Sequence, residues 1–298
     1  MMSAPVIPLH EPDIFALDRN VPFAIGDYAE IGSYSLARFP HRHVFYELCH
    51  VVEGAGTHII DFQAYPLRPN TLYFISPGQV HFWETEAPVR GRLLLFDEEF
   101  LLARSNQTSI LRELSFFQRL SDRPELRLPD DAVEPVNELF DALDREYHRR
   151  EYGYGSVLAA YLHVLLVRCQ RLRGQPVDNE ATDRAHSLVR DFNRLVAQHA
   201  TTEQSIRAYS DQLGVSAGHL ADTVKQVTGV TPGDLLRGAL LLEAKRLLAQ
   251  TELTVAQVAH EVGFDDPSYF GRFFRHRARI SPGEFRRRVR EKYHVLRP

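Results

Sequence analysis

Four side chains in the first third of the chain bring ligand-type or acid–base chemistry close together: His41, His43, Glu47 and, one hairpin later, His81. Two functions fit imidazole and carboxylate at this spacing. They can hold a divalent ion such as iron, manganese, nickel or zinc, or they can hydrogen-bond one another and line a polar pocket for a small molecule. On a strand, positions 41, 43 and 47 share parity and so one face. If that face is a barrel interior, three such side chains enter one cavity, His81 completes the set, and Trp83 lies next along its strand. Ligand identity without geometry or supporting outer partners is weak warrant for a metal. The pocket reading is therefore preferred, with His41, His43, Glu47, His81 and Trp83 as candidate effector-binding residues. No cofactor is expected, and a metal at His41, His43, Glu47 and His81 is the alternative. Arg38 has the opposite parity and is read as surface.

The elements that must position this set are short strands. Segments 28–39, 45–54, 56–62, 71–78 and 90–96 are apolar runs punctuated by glycine or proline, the pattern of a sandwich or barrel. Helices follow at 97–102, 110–120 and 130–149, the last with Val133, Val136, Leu139, Phe140, Leu143 and Tyr147 on one stripe. In 156–172, Leu158, Leu162, Leu165, Cys169 and Leu172 are spaced 4-3-4-3, as in a coiled-coil seam. That seam either joins two chains or packs on the barrel or the preceding helix; fewer than three heptads do not decide, and the dimer is the preferred reading.

The carboxyl-terminal part carries different chemistry. Over TVAQVAHEVGF, Val255, Val258 and Val262 form an apolar stripe and Gly263 permits the left-handed turn that stops a helix. Asp266-Pro267 then starts a second helix, with Phe270 and Phe274 inward and Ser268, Arg272, Arg275 and His276 outward. The unit repeats. Ile206, Tyr209, Ser210, Leu213, Gly214 and Val215 precede Val255, Val258, Ala259, Val262, Gly263 and Phe264 by 49 positions. After one inserted residue, Leu220, Val224, Lys225 and Thr231-Pro232 precede Phe270, Phe274, Arg275 and Ser281-Pro282 by 50. Two glycine-stopped helix pairs in register form a double helix-turn-helix pattern, whose second helices suit a DNA major groove. Candidate contacts are Ser216, Ala217, His219 and Lys225 in the first unit, and Asp266, Ser268, Tyr269, Arg272 and Arg275 in the second. The repeats differ where Asp222 stands for Arg272, so the first unit should hold DNA more weakly or read an unusual base pair. They differ again where Arg279 stands for Gly229, so that helix must end without glycine.

The chain resembles the arabinose-regulator (AraC/XylS) family of bacterial transcription regulators, closely over its last third and more loosely over its first hundred residues. His41-Arg42-His43…Glu47…Gly54 and Pro77-Gly78-Gln79-Val80-His81 also resemble the two motifs of the cupin barrel. Ser35 and Thr85 stand where those motifs carry glycine and asparagine. The resemblance implies an α+β multidomain chain. Residues 1–172 would form a cupin-like β-barrel with dimerisation helices, 173–183 a linker, and 184–298 an all-α double helix-turn-helix domain. It also implies double-stranded DNA, a small-molecule effector, RNA polymerase and a second copy of the chain as partners. Activation is the family's commoner outcome, and regulators carrying the HxHxxxE pattern usually have no known metal. PGQVHFW and LLLEAKRLL resemble regulators of aromatic-acid catabolism, which implies an aromatic effector.

Charge agrees with this division. The 298-residue chain has a net charge of −4, yet residues 183–298 hold 18 Lys+Arg against 13 Asp+Glu. The basic residues are densest from Arg272 to Lys292, which points to a nucleic-acid face at that end. Two cysteines give no disulfide framework, no apolar run is long enough to span a membrane, and MMSAPVIPLHEPD lacks the form of a signal peptide. A cytoplasmic protein is expected, and not an enzyme. Two alternatives remain: a metal-dependent cupin enzyme fused to a DNA-binding domain, and a regulator controlled by a protein partner.

Overall fold

The computed structural model describes residues 7, 9–10, 21–28, 31, 39–102, 115–117, 124–173 and 180–294. These form two units, one sheet-rich and ending with the helix Tyr154–Leu172, the other helical and beginning with Glu180–His199. In the first unit, β1 (Leu9–His10) pairs in parallel with β3 (Arg42–His43). A five-stranded antiparallel sheet runs β10 (Glu125–Arg127), β7 (Thr71–Ile75), β4 (Tyr46–Glu53), β9 (Arg90–Phe96), β2 (Phe23–Asp27). A second sheet runs β6 (Gln63–Pro66), β5 (Gly56–Ile60), β8 (His81–Thr85).

Alternation along β4 divides the core in two. Cys49 and Val51 point inward with Tyr73, Ile75, Trp83 and Leu93. Leu48 points outward into a larger cluster with helices α2 (Asp130–Arg149) and α3 (Tyr154–Leu172), which follow the short α1 (Glu98–Leu102). The amphipathic stripe of α2 supplies Val136, Phe140 and Leu143 to that cluster. The coiled-coil reading of α3 is corrected here. Leu158, Leu162, Leu165 and Cys169 are all fully buried in the unit's own core. A 4-3-4-3 spacing marks one face of a helix, whichever surface covers it.

Of the strand expected over 28–39, only Tyr28, Ile31 and Phe39 lie among the described residues, and Arg38 does not. Of the helix expected over 110–120, only Ser115–Phe117 is described, and it is a 3₁₀ turn. The last four residues assigned to the linker, 180–183, are helical, because α4 spans Glu180–His199.

The second unit contains α4, α5 (Ile206–Gln212), α6 (Ala217–Thr228), α7 (Pro232–Gln250), α8 (Val255–Glu261), α9 (Pro267–Ala278) and α10 (Pro282–His294). Val189, Phe192 and Val196 form the buried side of α4. Its helix starts follow local chemistry. The side chains of Ser205, Ser216, Thr231, Thr254 and Asp266 each accept a backbone N–H in the following first turn. Each such cap contributes about 1 kcal/mol. No helix among the described residues is long and apolar enough to cross a membrane.

Candidate functional site

The candidate nucleic-acid surface lies on α6 and α9. Leu220 and Val224 bury one side of α6, which leaves His219, Asp222 and Lys225 exposed. Phe270 and Phe274 do the same for α9, leaving Ser268, Tyr269, Arg272, Arg275 and His276 exposed. Ser216 and Asp266 sit at the N-caps, accepting from His219 N–H and Ser268 N–H respectively. The candidate contacts thus share the outer side of each second helix. Arg279 ends α9 at φ 63°, in the left-handed region that Gly229 occupies at φ 78° in the first unit. Ser268, Gly271, Arg272, Arg275, His276 and Arg279 line an open concavity of about 630 Å³. Arg272 also sits over the Tyr269 ring at 5.7 Å.

The basic run after Arg275 does not all face outward. Arg277 donates to Asp234 at 2.7 Å, and Arg286 donates to the carbonyls of Leu248 and Leu253. Arg287 and Arg288 pair with Glu284, and Arg290 donates to Glu252 and to the Thr251 carbonyl. Arg277 and Arg286 fasten α9 and α10 to α7, Arg290 ties α10 to the segment that follows α7, Arg287 and Arg288 pair within α10, and the open cationic face narrows to Arg272, Arg275 and Arg279. Asp234 is held well below the usual carboxylate range by the Thr231 hydroxyl, then by Arg277 and Arg237. It stays ionised and able to hold both arginines.

The barrel cluster gathers every residue of the candidate effector set. His41 forms a backbone bridge with His81, their rings 4.2 Å apart. His43 Nε2 lies 3.2 Å from Glu47 Oε2, and the His43 and His81 rings meet edge-on at 5.0 Å. All four are at most 1% exposed. The strand breaks at Val44–Phe45 between β3 and β4, so the shared face of His43 and Glu47 comes from a bend, not from unbroken parity. Burial pushes the Glu47 carboxyl up, but hydrogen bonds from His43 and Cys49 and the charge of His43 outweigh it and hold the group below its ordinary value. The Cys49 thiol donates to Glu47 Oε1 at 2.9 Å, and burial first, then Glu47, raises its pKa well above that of a free thiol. Cys49 is thus a donor, not a thiolate.

The motif-based set missed His58. It is fully buried, bonds His81 Nδ1 through its Nε2 at 3.1 Å, and stacks on Trp83 at 3.8 Å. Alternation within GTHII could have found it, because His58 and the inward Ile60 share parity.

A model described as an AraC-like ligand binding domain matches residues 27–156, and one described as a helix-turn-helix domain matches residues 209–288. The chain belongs to the AraC/XylS family. Its relatives include the transcriptional activator RhaS of Salmonella arizonae, 26% identical over 259 residues, covering 84% of this chain and 88% of that protein. The activator RhaR of Klebsiella pneumoniae is 23% identical over 250 residues, with 84% and 88% covered. Among solved structures, the C-terminal domain of AraT from Geobacillus stearothermophilus is 29% identical, with 34% of this chain and 84% of that one covered and a TM-score of 0.33. Fatty-acid-bound ToxT from Vibrio cholerae is 12% identical, with 90% and 96% covered and a TM-score of 0.42.

Proposed function

We propose that this AraC/XylS-family regulator binds duplex DNA unequally through its two helix-turn-helix units. A small molecule taken up by the barrel sets its activity, and the aromatic rings of Trp83, Tyr73 and Tyr28 packed in its interior favour an aromatic effector. The supporting observation is the pair of capped helices with outward residues of unequal charge. In α9, Arg272, Arg275 and Arg279 face an open concavity, whereas α6 offers Lys225 beside Asp222. Arginine forks bind phosphate or guanine, while a carboxylate repels phosphate.

The barrel binds and does not turn over, and the chain works in the cytoplasm as a homodimer that recruits RNA polymerase, commonly as an activator. The α3 seam is already used in the core. The dimer face is therefore assigned to the outer stripe of that helix, where Val157, Ala160 and Val164 are exposed.

A gel-shift series on the full chain tests the DNA reading. Arg272→Ala should weaken binding by about 1–3 kcal/mol and lower the salt dependence by about one phosphate contact. Lys225→Ala should do less. Equal losses at both positions contradict the asymmetry.

A further inference from the structure

We infer that Arg279 grips a DNA phosphate at the far end of α9, and that the fold gives up stability to keep an arginine there. The inference rests on the DNA-binding reading and adds to it a residue outside the candidate contacts, with a role of its own.

The internal repeat supplies the comparison. Helices α6 and α9 close alike: the Gly229 N–H donates to the Lys225 carbonyl at 2.9 Å, and the Arg279 N–H to the Arg275 carbonyl at the same distance. Both closing residues are left-handed, at φ 78° and 63°. Glycine takes that conformation freely, whereas a residue with a Cβ lowers the folded-to-unfolded ratio about 5–30-fold. A Cβ on Gly229 would meet nothing within 4 Å, so the turn offers a side chain no packing in return.

Nothing inside the unit offsets this strain at Arg279. Its side chain is exposed and makes no hydrogen bond or ion pair among the described residues. The negative end of the helix dipole favours a cation, but at an exposed terminus by less than the strain. The neighbouring Arg277, Arg286, Arg287, Arg288 and Arg290 all have partners. Arg150 is also a left-handed arginine closing a helix, at φ 49°, and it lies over the Tyr147 ring at 5.4 Å. Strain with no internal compensation marks a residue held for something outside the fold.

Position along α9 selects phosphate over base. Recognition helices read base edges with their N-terminal residues, and their C-terminal ends meet the backbone. From the Asp266 cap to Arg279 the helix advances about 20 Å at about 1.5 Å per residue, past the roughly 12 Å width of the major groove. Arg272, about 9 Å along, falls within that width. Arg279 shares one concavity with Arg272 and Arg275, so the same face runs from the groove to its wall. There a guanidinium fork fits a phosphate, which adds grip without sequence information.

The test uses the full-length protein and two reciprocal substitutions, Arg279→Gly and Gly229→Arg. Stability is followed by far-UV circular dichroism in urea. Binding is measured across a salt series on a duplex that the wild type selects from a random pool. Arg279→Gly is expected to raise the urea midpoint, weaken binding about fivefold at physiological salt and lower the log–log salt slope by about 0.9. It should still select the same sequence. Gly229→Arg is expected to lower the urea midpoint. Unchanged affinity and slope in Arg279→Gly overturn the contact, and an altered selected sequence overturns its assignment to phosphate. An Arg279→Gly chain no more stable than wild type, or a Gly229→Arg chain no less stable, overturns the strain. A wild type that selects no duplex contradicts the DNA-binding reading as well, whereas equal binding by wild type and Arg279→Gly contradicts this inference alone.

Discussion

Gly263 and Gly214 occupy equivalent turns in unequal surroundings. Both have positive φ, at 79° and 68°. A Cβ on Gly263 would come within 2.4 Å of the Thr201 carbonyl oxygen, whereas one on Gly214 would meet open space. Gly214→Ala should therefore cost about 1 kcal/mol from backbone strain alone, and Gly263→Ala more than about 2 kcal/mol. Urea unfolding of both variants measures this, and equal losses would contradict the packing argument. His50 makes a second prediction. It is buried against Phe140, with neither ring nitrogen hydrogen-bonded among the described residues. Burial first, then the charge of Arg92, pushes its pKa down to about 4. The unfolded chain takes up this proton near pH 6.5 and the folded chain only near pH 4. The stability due to neutral His50 is thus complete above pH 6.5 and lost as pH falls toward 4. Between pH 7 and pH 5 the loss should be about 2 kcal/mol. His50→Phe should flatten that part of the stability–pH curve, and an unaltered slope would place the titration elsewhere.

Helix α3 illustrates what a sequence can and cannot reveal about an element. Its extent and apolar seam were legible, because 3.6-residue periodicity is local. What the seam packs against was not, since Leu158, Leu162 and Leu165 join a core cluster shared with α1, α2 and residues of strands far away in the chain. The consequence for mutagenesis is direct. Charged residues at Leu162 and Leu165 should unfold the barrel unit, whereas Val157→Glu with Val164→Glu should leave it folded and give monomers by light scattering. Folded dimers in the Val157/Val164 variant would move the interface off α3. Caps and turns were legible for the same local reason: Asp266-Pro267, Thr231-Pro232 and the left-handed Arg279 follow from residue types within four positions. The basic run of α10 was misjudged, because the carbonyls and carboxylates that hold Arg286 and Arg290 lie more than 30 residues away. The barrel cluster was legible as a set of residues. Its geometry depends on the bend at Val44–Phe45 and on His58, neither of which motif spacing encodes.

At the scale of the whole molecule, a duplicated helical module is joined by α7, a helix of 19 residues and so about 28 Å long. Asp234 near its start holds Arg277 of α9, while Arg286 of α10 grips the Leu248 carbonyl near its end. The second unit is thereby anchored at both ends of the connecting helix. One protomer should then read a non-palindromic site, strongly with α9 and weakly with α6. Selection of duplexes from a random pool by the full-length protein tests this most directly. Wild type should enrich a site of two unlike segments about one helical turn apart, and Arg272→Ala with Arg275→Ala should erase the stronger segment first. Enrichment of no sequence, or of a site that the double variant still selects in full, would contradict the account.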